Sequence, residues 1–123
     1  MIITGKVVKG VGYGRKIGFP TANIDRKQYS RTKGTKLGIY AGTVKIEGKK
    51  GEWKAGIVVG PIDNKGLPKI EAHLINFSGN LYGKKIILTL KKYLRPFKKH
   101  KNEADLISAI TKDINLIQSF NEK

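Results

Sequence analysis

Gly38-Ile39-Tyr40-Ala41-Gly42-Thr43-Val44-Lys45-Ile46-Glu47 runs into Gly48-Lys49-Lys50-Gly51 and returns as Glu52-Trp53-Lys54-Ala55-Gly56-Ile57-Val58-Val59-Gly60. Both arms are rich in β-branched and aromatic residues, which suit a pleated surface. The Gly-Lys-Lys-Gly between them is a turn signal, so the spacing predicts a hairpin. The same kind of segment recurs on either side. Residues 2–9 alternate loosely around Ile3, Val7 and Val8. In 69–77, Ile70, Ala72, Leu74 and Asn76 share one face and Glu71, His73, Ile75 and Phe77 the other. In 84–94, Ile86, Leu88 and Leu90 share a face. The pattern then changes: Leu106, Ile107, Ile110, Ile114, Ile117 and Phe120 recur at helical spacing, behind Asn102 as N-cap and Asp105 at the third helical position. Six or so β segments followed by one amphipathic helix predict an all-β fold, a closed antiparallel barrel with a C-terminal helix over about 103–120.

The chain has 123 residues, enough for one core without staples. It has no cysteine, which excludes a disulfide framework and thiolate metal sites and fits a cytoplasmic location. No apolar run reaches the ~20 residues of a membrane helix, and the N-terminus reads as a strand and not as a signal peptide. The formal charge is +16, from 25 Lys and Arg against 9 Asp and Glu. Only Arg15, Arg26, Arg31 and Arg95 are arginine, the residue that recognises phosphates and bases bidentately. Lysines spread along the whole chain read as a solvated surface rather than a nucleic-acid track, although the charge permits one. The expected state is a monomer.

Chemistry concentrates in Val8-Lys9-Gly10-Val11-Gly12-Tyr13-Gly14-Arg15-Lys16-Ile17-Gly18-Phe19-Pro20-Thr21-Ala22-Asn23. Glycines at 10, 12, 14 and 18 leave backbone N–H groups unshielded and able to wrap an anion. The spacing is neither a P-loop nor a dinucleotide fingerprint. Pro20 stiffens the residues after it, so Thr21 and Asn23, two apart on an extended segment, present a hydroxyl and an amide oxygen on one side. Both are hard donors suited to Mg²⁺. The polar stretch 24–36, with Arg26, Lys27, Arg31 and Lys33, reads as a flap. Glu71 stands out as an acid inside an apolar strand: either a barrel-interior carboxylate facing a pocket, or an edge residue paired with a lysine. His73 reads as structural.

Gly14-Arg15-Lys16-Ile17-Gly18-Phe19-Pro20-Thr21-Ala22-Asn23 resembles the signature of the ATP-dependent riboflavin kinases. Further likenesses are Gly38-Ile39-Tyr40-Ala41-Gly42, Ile70-Glu71-Ala72-His73-Leu74, Leu81-Tyr82-Gly83, Leu94-Arg95-Pro96 and Leu106-Ile107-Ser108-Ala109-Ile110-Thr111-Lys112-Asp113-Ile114, so the resemblance runs from about residue 4 to 114. It implies a six-stranded Greek-key barrel and one kinase domain over 1–123, with the barrel at about 1–94, a flavin-side loop at 95–102 and the helix after it. No adenylyltransferase half is expected with it. The implied reaction is transfer of the ATP γ-phosphoryl group to the 5′-hydroxyl of riboflavin, giving FMN and ADP. The implied roles are Glu71 as base, Thr21 and Asn23 as ligands of Mg²⁺ and ATP, Gly10, Gly12, Gly14 and Arg15 around the phosphates, and Leu74, Asn76 and Tyr82 at the nucleotide. Arg95, Lys98, His100 and Glu103 would take the flavin. Two positions depart from the pattern: Asn76 stands where an acid is usual and His100 where a phenylalanine is expected. The competing readings are a non-catalytic basic barrel that binds single-stranded nucleic acid, and a flavin-binding relative without activity.

Overall fold

The computed structural model of the chain describes residues 1–8, 21–25, 35–62, 66–77, 79–96 and 101–119. The described residues form six strands: β1 (Ile2–Val8), β2 (Ala22–Ile24), β3 (Gly38–Ile46), β4 (Trp53–Ile62), β5 (Pro68–Leu74) and β6 (Lys85–Arg95), followed by the helix α1 (Glu103–Ser119). The strands close into a barrel in the order β1-β2-β5-β4-β3-β6, every pairing antiparallel. The run β6-β3-β4-β5 is a Greek key, a three-strand meander whose next strand returns beside its first. The predicted hairpin is β3–β4, paired from Gly38↔Val59 to Val44↔Trp53.

Alternation sorts the side chains. Val44, Ile57, Val59, Ile70, Ile86 and Leu88 point inward and are at most 2% exposed, forming the centre of one core. Gly42 is required there because β3 passes close to β6: a Cβ would overlap the carbonyl oxygen of Thr89 and crowd Ile57 Cδ1. The β3–β6 register shifts beside it, between Ala41 and Gly42.

The helix covers the outer face of β3 and β4. Ala41, Ile75 and Ile117, with Leu94 and Ile114, make a second, smaller core beneath it. Gly56 lets the helix approach, since a Cβ there would lie 3.0 Å from Ile117 Cδ1. Asn102 caps the start, its Oδ1 accepting the Asp105 N–H at 2.9 Å. Lys54 on β4 donates to the Gln118 carbonyl at 2.9 Å and supplies the cation that the helix's own last turn lacks.

Three expectations change. The fifth strand ends at Leu74, not near Phe77; Ile75 and Asn76 form a turn, and Asn76 takes a left-handed φ of 62°. Asn76 therefore does not share a face with Ile70, Ala72 and Leu74. The fourth strand runs on to Ile62, past the Gly60 end of the predicted hairpin arm. The last strand includes Arg95, which therefore belongs to the barrel and not to the loop after it.

Gly42→Ala should cost about 3 kcal/mol or more, because backbone and not a flexible side chain blocks the new methyl. Urea unfolding of the two proteins checks this: the midpoint should fall with the slope unchanged.

Candidate functional site

The three-residue β2 brings the predicted residues together. It pairs with β5 as Ala22↔Ala72 and Asn23↔Glu71, and with β1 as Val8↔Asn23. Directly opposed residues share a face with Cβ atoms about 5 Å apart. Ala22 and Ala72 turn into the core, so Asn23 and Glu71 stand side by side on the outside of the barrel. Neither of the two explanations offered for Glu71 holds. It is not interior, and β5 has neighbours on both sides, so it is not an edge. Glu71 is nonetheless only partly exposed. Burial pushes its carboxyl above the ordinary value of 4.5, and the cation of Lys69 pulls it partly back.

The outward row continues beyond Glu71. Val58 opposes Glu71, Ile39 opposes Val58, and Arg95 opposes Ile39. One residue from each strand thus forms a single row: Val8, Asn23, Glu71, Val58, Ile39, Arg95. At about 4.8 Å per strand, Glu71 and Arg95 are separated by about 14 Å, with two apolar side chains between them. Arg95 is held in place: its Nε donates to Asp113 Oδ1 at 3.0 Å and its Nη2 to Asp113 Oδ2 at 2.7 Å.

On the other side of β2 a cavity of about 260 Å³ opens at the barrel mouth. The small Ala22–Ala72 pair leaves this space, and Leu74, Phe77 and Tyr82 help to wall it. Asn80 also faces it; its Oδ1 accepts the Tyr82 N–H at 2.9 Å, which turns the amide nitrogen into the donor end. Thr21 lines the cavity and precedes Asn23 by two residues, so it connects the cavity to the outer row.

The predicted residues therefore separate into groups. Thr21, Leu74 and Tyr82 meet at the cavity; Asn23, Glu71 and Arg95 lie on the outer row. Asn76 is exposed on its turn and does not line the cavity. Glu103 is the exposed first residue of α1. Gly10, Gly12, Gly14, Arg15, Lys98 and His100 lie outside the described residues, as does most of the 24–36 flap. Among the described residues no cluster of three His, Cys, Asp or Glu could hold a metal ion. A divalent cation at Thr21 and Asn23 would need charge from its ligand, which suits a metal that arrives with a polyphosphate.

Sequence reading missed Phe77, Asn80 and Asp113. Phe77 ends the 69–77 segment and Asn80 follows Gly79, with no signal in either to single it out. Asp113 did carry one, since it sits between Ile110 and Ile117 on the helix's buried stripe and is 8% exposed.

The chain matches the family model for Flavokinase, riboflavin kinase, over residues 1–121. It is 33% identical over 117 residues to an RNA-binding riboflavin kinase of Bacillus subtilis, covering 94% of this chain and 49% of that protein. A bifunctional riboflavin kinase/FMN adenylyltransferase of Pseudomonas fluorescens is 31% identical over 113 residues, covering 91% of this chain and 35% of that one. The Haemophilus influenzae protein of the same description is 36% identical over 122 residues, with 96% and 38% covered. The chain thus spans half or less of the length of these relatives. Among solved structures, a macrolide-efflux protein of Streptococcus pneumoniae shares the fold at TM-score 0.86 and 24% identity, over 98% of this chain and 39% of that one. A riboflavin kinase of Trypanosoma brucei does so at TM-score 0.64 and 21% identity, over 95% and 76%. With the family model covering almost every residue, the chain belongs to the riboflavin kinase family.

Proposed function

We propose that this domain transfers the γ-phosphoryl group of ATP to the 5′-hydroxyl of riboflavin. The observation that carries the reading is the Asn23↔Glu71 pairing, which sets a partly desolvated carboxylate beside the Asn23 amide. The adenine end of ATP would enter the cavity at the barrel mouth, between Leu74, Phe77 and Tyr82, with the Asn80 amide as donor. Its phosphates would then pass Thr21 to reach Asn23. Thr21 and Asn23 would hold Mg²⁺, which when bound neutralises phosphate charge as ADP departs.

The remaining chemistry belongs to Glu71. Its carboxylate accepts the proton of the riboflavin 5′-hydroxyl while the hydroxyl oxygen bonds to the γ-phosphorus. The bond from that phosphorus to the β–γ bridging oxygen breaks, and the proton passes to solvent after product leaves. A raised pKa makes the carboxylate a better proton acceptor. From Glu71 the flavin would lie over Val58 and Ile39 toward Arg95, and this span suits a five-carbon polyol joined to a tricyclic ring.

A nucleic-acid-binding barrel would need a continuous cationic face. The outward residues in one row across β2, β1, β6 and β3 are Asp25, Lys6, Lys85 and Glu47, with acids at both ends. Lys45 nearby pairs with Glu52 at 3.8 Å. In this row two lysines are flanked by acids, which interrupts a cationic track there.

Incubation with riboflavin, ATP and Mg²⁺ should yield FMN, resolved by chromatography; its absence would sink the reading. Glu71→Gln should lower kcat by about 10²- to 10⁴-fold with little change in ATP binding. The same variant has a stability signature of opposite sign. Because the folded-state pKa is raised, Glu71 in the folded protein holds its proton to higher pH than in the unfolded chain. Wild-type stability is then fully present below the unfolded value and declines as pH rises through the folded one. Glu71→Gln should remove that decline, measured as Tm against pH.

A further inference from the structure

Arg95 closes the outer row, and the structure shows what holds it there. Both carboxylate oxygens of Asp113 engage the guanidinium, at 3.0 and 2.7 Å, in the planar two-bond geometry that fixes orientation as well as position. The third nitrogen, Nη1, reaches the carbonyl of its neighbour Pro96 at 3.4 Å. Asp113 is buried and lies midway along α1, so its own place is set by the packing of Ile114 and Ile117 on the barrel. Behind Arg95, β3 adds a second restraint: Gly38 lies so close that a Cβ would stand 2.5 Å from the Arg95 carbonyl oxygen. The pair also bridges 18 residues of sequence, so it joins the end of β6 to mid-helix.

We propose that Asp113 is a positioning residue for the flavin. It locks the Arg95 guanidinium at a set distance from Glu71 along the Glu71-Val58-Ile39-Arg95 row, and so selects a substrate whose ring system lies that far from its reacting hydroxyl. Two N–H directions of Arg95 are committed to Asp113 and one reaches the Pro96 carbonyl; the two that remain, on a side chain that is still 27% exposed, are the donors offered to the ring. A lysine in place of Arg95 could not serve both partners, because it lacks the planar fork.

This inference rests on the kinase reading, and the experiment separates the two. Asp113→Asn keeps the shape of the side chain but loses its charge. It should raise the riboflavin KM about tenfold or more, as displaced binding groups do, while the Mg-ATP KM stays within about twofold. Riboflavin affinity, read without ATP by quenching of flavin fluorescence, should fall by the same factor. The double variant Arg95→Met with Asp113→Leu replaces the buried pair by apolar packing. It should recover the wild-type Tm and leave riboflavin binding weak. An unchanged riboflavin KM in Asp113→Asn, equal shifts for riboflavin and Mg-ATP, or recovery of riboflavin binding in the double variant would each overturn the role of Asp113. Absence of FMN formation by the wild-type protein would instead overturn the kinase reading, with the fluorescence measurement still deciding whether Asp113 governs flavin affinity.

Discussion

Two cross-strand pairs between β2 and β5 hold the site together. Ala22↔Ala72 and Asn23↔Glu71 are adjacent in the ladder, so their side chains leave by opposite faces. The inward pair is small, and it opens a cavity where a larger pair would have filled the barrel mouth. The outward pair sets a carboxylate against an amide. A slip of one residue in this register would exchange the two faces, placing Glu71 in the core and an alanine in its position outside. Register at three residues of strand therefore determines which side chains border the cavity and which stand on the outer row.

So short a strand does not fix its own register. β1 and β5 flank β2, and the core residues Val7, Ile24 and Ile70 anchor the parity from inside. Burial of these side chains makes the alternative register expensive, at roughly 1.5–3 kcal/mol for each large apolar group turned outward. The same logic holds on the far side of the barrel, where Gly56 and Ala41 leave room for Ile117 and so set the height of α1. Asp113 stands one turn before Ile117 on that helix and meets Arg95 at that height. Hydrophobic packing thus supplies the precision, and the polar groups of the site inherit it.

Most of the architecture was legible because periodicity is a strong signal. The β3–β4 hairpin, the inward set Ile86, Leu88 and Leu90, and the cap at Asn102 all follow from spacing and turn chemistry. Glu71 was legible as an anomaly, an acid among apolar neighbours, and resemblance to a family attached a role to it. Its direction was not legible. Period-2 alternation separates two faces but does not say which is inside, so the interior explanation for Glu71 failed on the face and the edge explanation on the topology. Asn76 failed for another reason: alternation carried past Leu74 ignores that a residue at φ 62° has left the strand. The Arg95–Asp113 pair needed a tertiary contact, although an acid on a buried helical stripe is the same kind of anomaly as an acid in an apolar strand.

The register has one more effect. Following the row strand by strand from Val8 leads to Arg95, yet on closing the circle Val8 stands level with Gly83, just ahead of β6, whose N–H donates to Val7 O at 2.9 Å. The path has climbed from the level of Gly83 to that of Arg95 in a single turn. It is a spiral ramp and not a hoop. A ligand pair laid along such a ramp is held on a diagonal, its two ends at different heights on the barrel wall. Side chains at the two ends of the row therefore face different levels of the barrel wall and not a common rim.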